Sequence, residues 1–204
     1  MQFEERERIY GQPGYYWGRE QNDFAERTLA AVDDDPESMK LVDIGAGEGR
    51  DAVFFAESGF DVFATDVSPT GLEKAERLAE ERGVSLRTVE ADANHLFVPW
   101  TVDVMYSIGA LQYVRPENRE AQFDHFKSQT NPGGVHALFT FVDHPKIPTP
   151  PDWTENEYFY ERGELAGYYE DWDVIEAKGM VFRDESGNEP HRHAAEQLLL
   201  KKPE

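Results

Sequence analysis

The chain has 204 residues, 39% hydrophobic and 13% aromatic, enough for one domain around one sizeable core. Forty-one acidic residues against twenty basic ones give a formal charge of −21, so a nucleic acid would meet repulsion in place of counterion release and is not expected as substrate or partner. The absence of cysteine removes disulfides, thiolate catalysis and cysteine-ligated zinc, and with no apolar run of about 18 residues and no signal-like amino terminus the expectation is a cytoplasmic protein without a membrane partner.

The first segment, Tyr10-Gly11-Gln12-Pro13-Gly14-Tyr15-Tyr16-Trp17-Gly18, is aromatic but broken by Gly and Pro, so it is no regular core helix. It reads either as a lid over a ligand or as the contact of a homodimer. Asp23-Phe24-Ala25-Glu26 has capping-box form, and Ala25, Thr28, Leu29 and Val32 share a helical face, giving a helix that ends near Asp33. Lys40 to Ile44 is the first strand. Ala52, Phe55, Ala56 and Gly59 mark a helix, and Asp61 to Thr65 is a second strand closing at Asp66. Ser68-Pro69 supplies the cap and first turn of a helix that points Leu72, Ala75 and Ala79 inward. Ser85 to Val89 and Val102 to Ser107 follow as strands, then Pro116 to Thr130 as a helix, then Asn131-Pro132-Gly133-Gly134 as a turn before the strand Val135 to Phe141.

This alternation predicts an α/β, Rossmann-like, doubly wound sheet, mostly parallel, with ligands beyond the carboxyl ends of the strands. After Val142 the rhythm changes. Pro145, Pro148, Pro150 and Pro151 make Asp143 to Pro151 an extended loop, and Glu161 to Tyr169 looks helical. Trp172 to Phe182 and His191 to Leu200 read as two strands of a hairpin joined across Asp184-Glu185-Ser186-Gly187-Asn188. The single domain therefore divides into an amino-terminal lid and helix (1–35), a cofactor-binding core (40–142) and an acceptor-side loop, helix and hairpin (143–204).

The most informative stretch is Leu41-Val42-Asp43-Ile44-Gly45-Ala46-Gly47-Glu48-Gly49, an apolar strand that runs into three alternating glycines and then a helix. Glycine at Gly45 and Gly47 permits positive φ and close approach of backbone to ligand, and the amides of the helix that begins near Glu48 are expected to face the same crevice. A dinucleotide fingerprint would put its third glycine where Arg50 stands. Asp66, 21 residues beyond Gly45, can accept both ribose hydroxyls of an adenosine, with Val67 beside it. Asp92 can accept from an adenine amino group while Ala93 offers its amide, and Ser107-Ile108-Gly109 closes the fourth strand with small residues where a reactive methyl would lie.

G-x-G-x-G after a strand carrying Asp43 resembles the loop of class I S-adenosylmethionine-dependent methyltransferases. From Lys40 to Lys202 the order and wording are similar to the tellurite-resistance (TehB-like) methyltransferases. The pieces are Gly47-Glu48-Gly49-Arg50-Asp51, Ser58-Gly59-Phe60-Asp61-Val62, Asn131-Pro132-Gly133-Gly134 and Phe159-Tyr160-Glu161-Arg162-Gly163-Glu164-Leu165, followed by Tyr168-Tyr169-Glu170-Asp171-Trp172. That resemblance implies a seven-stranded sheet with an antiparallel last hairpin. It implies S-adenosylmethionine as donor, S-adenosylhomocysteine as product, and a cofactor site at Asp43, Gly45, Ala46, Gly47, Arg50, Asp66, Val67, Asp92, Ala93 and Ser107. Where the tellurite enzymes carry a His-Arg pair before the last turn, this chain has Phe182-Arg183, and a further basic position is acidic or Pro near Glu189 and Pro190.

Methyl transfer from a sulfonium needs alignment and a closed site more than it needs a base. The acceptor is expected to be a small molecule with a soft nucleophile, such as a thiol or a selenium or tellurium oxyanion, steered by a few cations. Candidates are Arg50, Arg183, His191, Arg192 and His193, with Gln112 and Tyr113 just beyond the fourth strand. His191 and His193 share one face of a strand, but the sequence places no third ligand beside them, so no metal is expected. Other readings keep the loop: a non-catalytic protein binding the same adenosyl ligand, a methyltransferase acting on a basic protein, and an NAD-dependent oxidoreductase, against which Gly49 and Asp92 argue. The acid recurs along the whole chain and only seven of the basic residues are Lys, a balance that reads as halophilic adaptation.

Overall fold

The computed structural model describes residues 3–33, 35–151, 153–184 and 190–204. Seven strands form one sheet: β1 (Lys40–Ile44), β2 (Asp61–Asp66), β3 (Arg87–Glu90), β4 (Val102–Ser107), β5 (Thr130–Phe141), β6 (Asp173–Asp184) and β7 (His191–Lys201). Their order is β3-β2-β1-β4-β5-β7-β6, parallel from β3 to β5 and antiparallel where β7 meets β5 and β6. The crossovers run one way from β1 to β2 and the other way to β4, so the crevice beyond Ile44 and Ser107 is the switch point where such sheets bind ligands.

Alternation along β1 splits the core. Val42 and Ile44 pack with Met105, Phe123, Phe126, Tyr160, Tyr169 and Trp172 on one face. Leu41 packs with Phe24, Phe55, Val62, Val104 and Tyr106 on the other. The string Phe159 to Trp172 sends its large apolar members into that core: Tyr160, Leu165 and Tyr169 are almost wholly buried, while Glu161, Arg162, Glu170 and Asp171 are exposed. Behind those buried side chains Arg119 lies fully buried, donating to Glu164 at 2.8 Å and to the Tyr158 carbonyl at 3.0 Å, which bolts the segment after β5 to the helix α5 (Pro116–Ser128).

Several elements differ from the sequence-based expectation, each for a local reason. A helix α1 (Phe3–Tyr10) precedes the aromatic segment. The next, α2 (Asp23–Ala30), is capped by Asn22, whose Oδ1 accepts from the Phe24 amide at 2.9 Å, and Asp23 is first-turn acid instead of cap. The turn read at Asn131 to Gly134 is an irregularity within β5, where the register against β4 shifts and the Gly133 amide donates to the Lys202 carbonyl at 3.0 Å. The helix read from Glu161 shrinks to α6 (Glu164–Gly167), because Gly163 at φ 80° turns the chain in at its start. The third strand starts two residues later than expected, at Arg87. The hairpin turn, residues 185–189, and the acidic position at Glu189 lie outside the described residues. Among the described residues no helix is long and apolar enough to cross a membrane.

Candidate active site

Beyond Ile44 the chain turns through Gly45 (φ 79°) and Gly47 (φ 55°) into α3 (Arg50–Glu57). A Cβ on Gly45 would lie 2.2 Å from that of Ala110, and one on Gly47 2.9 Å from the Tyr10 hydroxyl, so both positions require glycine for space as well as for φ. The donors are used differently from the expectation. The amides of Gly45 and Ala46 both donate to the Thr65 carbonyl at 2.8 Å, and the Gly47 amide donates to Asp66 Oδ2 at 2.9 Å. These three amides hold the loop to β2; a ligand there is recognised by side chains and by the room the glycines leave.

Three carboxylates converge behind the loop. Asp51 is well supplied with donors: Arg50 at 2.9 Å, the Tyr106 hydroxyl at 3.0 Å and the Asn22 amide at 2.7 Å. Asp66 accepts from Gly47 and, at 2.8 Å, from the Ser68 amide, leaving a lone pair on each oxygen for a hydroxyl. Asp43 is 2% exposed, and burial, reinforced by the charges of Asp51 and Asp66, pushes its carboxyl well above the usual carboxylate range, with Arg50 opposing. Asp43 lines the cavity, so a bound cation would meet it directly.

The amino-terminal segment closes this end. Glu7 on α1 accepts from the hydroxyls of Ser68 and Thr70 at the start of α4 (Pro69–Arg82), and Trp17 Nε1 donates to Tyr10 at 3.1 Å. The Lys74 ammonium donates to the carbonyls of Gln12 and Gly14 and to Glu48 Oε1, at 2.9, 2.6 and 2.7 Å, while Glu48 Oε2 accepts from the Tyr16 amide at 2.6 Å. Arg6 lies over the Tyr113 ring, 4.5 Å from its centroid, and burial pushes the Tyr113 hydroxyl up.

One continuous cavity of about 1620 Å3 joins these parts to the hairpin of β6 and β7. Ligand pockets commonly span about 300–1,000 Å3, so there is room for a nucleoside-sized ligand and a second small molecule together. Of the residues expected there, Asp43, Gly45, Ala46, Gly47, Arg50, Asp66, Val67, Asp92, Ala93, Gln112, Tyr113 and His193 line it. Ser107 does not: its hydroxyl donates to the Ile44 carbonyl at 2.9 Å, and Ile108, Gly109 and Ala110 take the lining. Arg183 is exposed on β6, in register with Arg192, while its neighbours Phe182 and Asp184 line the cavity. His191 meets His193 at its rim. Gln112 donates through Nε2 to the Gly109 carbonyl, but its buried Oε1 has no hydrogen-bond partner. This orphaned acceptor, the glycine cradle and the cation-deficient Asp43 together fit a ligand carrying amino and hydroxyl donors.

Sequence reasoning missed Glu48, Lys74, Arg6 and the Asp51–Tyr106 pair. For Lys74 a signal existed. It falls among Gly71, Leu72, Ala75, Leu78 and Ala79 on the buried face of α4, where an unpaired ammonium would be costly.

Residues 41–134 match the family model described as a methyltransferase domain. The chain is 24% identical over 167 residues to the probable S-adenosyl-L-methionine-dependent methyltransferase TehB of Haemophilus influenzae strain Rd, covering 80% of this chain and 57% of that protein. It is 31% identical over 125 residues to the tRNA 5-carboxymethoxyuridine methyltransferase of Escherichia coli K12, covering 58% of this chain and 46% of that one. Among solved structures, TehB of Haemophilus influenzae superposes with a TM-score of 0.79 at 20% identity, over 92% of this chain and 64% of that one. The N-methyltransferase NodS of Bradyrhizobium japonicum, in complex with S-adenosylhomocysteine, gives 0.71 at 16% identity over 99% and 98%. The sheet order and the glycine loop are those of the class I methyltransferase fold, residues 41–134 match a methyltransferase domain, and the chain is similar to S-adenosylmethionine-dependent methyltransferases of that class. Its resemblance runs to TehB in both sequence and fold, and it spans just over half the length of the curated TehB it matches.

Proposed function

We propose that this chain transfers the methyl group of S-adenosylmethionine to a small-molecule nucleophile inside the cavity, with S-adenosylhomocysteine as product. The observation that carries this reading is the continuity of the cavity, which runs from the glycine loop and Asp66 to the hairpin without a wall between them. A protein that only bound an adenosyl ligand would have no use for the second half. S-adenosylmethionine, when bound, supplies a methyl already activated on a sulfonium, so the chain's own residues have to bind, align and exclude water.

Asp66 would take the ribose hydroxyls, Asp92 and Ala93 the adenine edge, and Asp43 the cationic arm, whose arrival would relieve the crowding of the three carboxylates. Tyr10 and the segment through Trp17, held by Glu48 and Lys74, would keep solvent from the reacting centre, which favours the lid over a dimer contact. Gln112 Oε1 and Tyr113 would orient the acceptor. A soft, neutral or thiol-type nucleophile fits this side better than an oxyanion. Phe182 faces the cavity in place of a cation, and Arg183, the one basic residue that the tellurite enzymes share at this point, faces away. The charge of −21 supports a small acceptor in the cytoplasm over a nucleic acid.

Calorimetric titration with S-adenosylmethionine, S-adenosylhomocysteine and NAD, at high and low salt, tests the reading. Micromolar binding of the two adenosyl ligands without NAD is expected. Binding of NAD alone, or of nothing by folded protein, would overturn it.

A further inference from the structure

The last hairpin carries a group that the methyl-transfer reading does not use. His191 and His193 sit two residues apart on β7 and therefore on one face, and the register pairs Asp184 directly with His191 and Phe182 with His193. The third side chain is thus delivered from the neighbouring strand, which is why strand parity alone could not place it. His191 Nε2 and His193 Nε2 are 2.8 Å apart, His193 Nε2 and Asp184 Oδ2 3.6 Å, and one ligand atom from each residue lies within 4.8 Å of the others.

We propose that Asp184, His191 and His193 form a site for a divalent transition ion of the Zn2+ class at the acceptor end of the cavity. With metal–nitrogen and metal–oxygen bonds of about 2.0–2.2 Å, two ligand atoms on a tetrahedral ion stand about 3.3–3.6 Å apart. Opening the two imidazoles by about half an ångström brings that pair to this spacing, His193 and Asp184 already stand at it, and Asp184 and His191, within 4.8 Å, reach it by side-chain rotation. Two imidazoles and one carboxylate select Zn2+, Co2+ or Ni2+ over Ca2+ or Mg2+, which take oxygen ligands.

The surroundings suit such an ion. His193 is 3% exposed and packs against the rings of Phe141 and Phe182, at centroid separations of 4.9 and 5.6 Å, so one wall is dry and rigid. Asp184 and His193 both line the cavity, so the position left open by three protein ligands faces the acceptor space. Three protein ligands with one open position is the arrangement of ions that act on a bound molecule, whereas purely structural ions are closed by four. Resting on the methyl-transfer reading, that open position would hold a thiol acceptor as its thiolate, the metal–sulfur bond forming as the S–H proton passes to solvent.

The ion is tested apart from catalysis. Chelator-treated protein is titrated with Co2+ alone in high chloride and followed by visible absorption, beside Asp184→Asn and His191→Gln. A Glu80→Gln variant controls for loose binding to the acidic surface. The expected result is one equivalent with the intense d–d bands of a low-coordinate ion, displaced by Zn2+, unchanged in Glu80→Gln and weakened about tenfold or more in each ligand variant. Circular dichroism and thermal melts of the variants establish that they fold. The spectrum of hydrated Co2+ at one equivalent, or equal binding by folded ligand variants, would overturn the site. Co2+ binding in protein that ignores S-adenosylhomocysteine would uphold the site while the methyl-transfer reading falls.

Discussion

The two ends of the cavity are built by different means. At the cofactor end, the shape of the site depends on backbone: positive φ at Gly45 and Gly47, amides tied to Thr65 and Asp66, and an amino-terminal segment pinned through its carbonyls by Lys74. At the acceptor end, it depends on side chains that two antiparallel strands bring together across a register, and one step of slippage would turn Asp184, His191 and His193 to the other face. The first kind of site tolerates little change in sequence and binds one thing; the second can change its ligand by exchanging side chains on an unchanged frame. A single fold can therefore keep one donor while its acceptors diversify.

The comparison is broken most severely at the amino-terminal segment. Lys74→Met leaves Glu48, 1% exposed in its side chain, without its cation and frees the carbonyls of Gln12 and Gly14. Breaking such a buried pair costs about 3–5 kcal/mol. Urea melts should show that loss, and limited proteolysis should cut residues 11–18 far faster. A variant that keeps both its midpoint and its protease resistance would mean that this segment is held some other way. Gly45→Ala comes next. Its Cβ would lie 2.2 Å from Ala110 Cβ at φ 79°, and the sum of left-handed strain and overpacking is about 2–4 kcal/mol. Calorimetry should find adenosyl-ligand affinity lost as well, whereas metal binding at the hairpin should survive in whatever fraction remains folded. Loss of both together would show that the two ends are not independent.

Asp43→Asn sharpens the contrast by separating stability from binding. Burial and the neighbouring carboxylates raise the folded carboxyl above its unfolded value of about 3.9. The folded state therefore holds the proton more tightly, and this group's contribution to stability is lost as pH rises from about 4 through the raised value. The Asn variant lacks that slope. It should gain about 0.5–2 kcal/mol on the parent at neutral pH while binding S-adenosylmethionine more weakly, the trade expected of a destabilised functional carboxylate. Equal pH slopes for the two proteins would remove Asp43 from the account. His136 works in the opposite sense: buried and held down to about 3, it costs stability as pH falls below about 6.5, so the comparison is best made above that pH.

What the sequence disclosed follows the same division. β1 and β4 fall at their expected bounds, and so do the Ser68 cap and the glycine loop, because each is decided by residues adjacent in the chain. The ligand end of the sheet followed from the alternation of strands and helices. Hidden were the relations that need two distant segments at once. Lys74 with Glu48 is one, Tyr106 with Asp51 another, and the partner of His191 a third. The string from Phe159 to Trp172 shows the converse: the aromatic part of its distinctive wording packs around Arg119 and His136. Parity decided the rest. The resemblance carried Arg183 into the site, but on a strand whose even-numbered residues face the cavity an odd-numbered one faces away.

That parity makes the smallest prediction the most discriminating. Arg183→Ala removes a cation from an exposed position in register with Arg192, so stability should change by less than about 0.5 kcal/mol. Formation of S-adenosylhomocysteine, measured with any acceptor that supports turnover, should stay within about twofold of the parent, less than about 0.5 kcal/mol in the barrier. An oxyanion acceptor steered by Arg183 would instead show a loss of about 1.5–3 kcal/mol, the usual worth of a charge-assisted hydrogen bond, expressed mainly in KM. Such a loss would require the end of the hairpin to turn over when the acceptor binds, bringing Arg183 inward and taking Asp184 and His193 out. The anion-steering site and the metal site are therefore alternatives on one pair of strands, and a loss in Arg183→Ala would favour the first over the second.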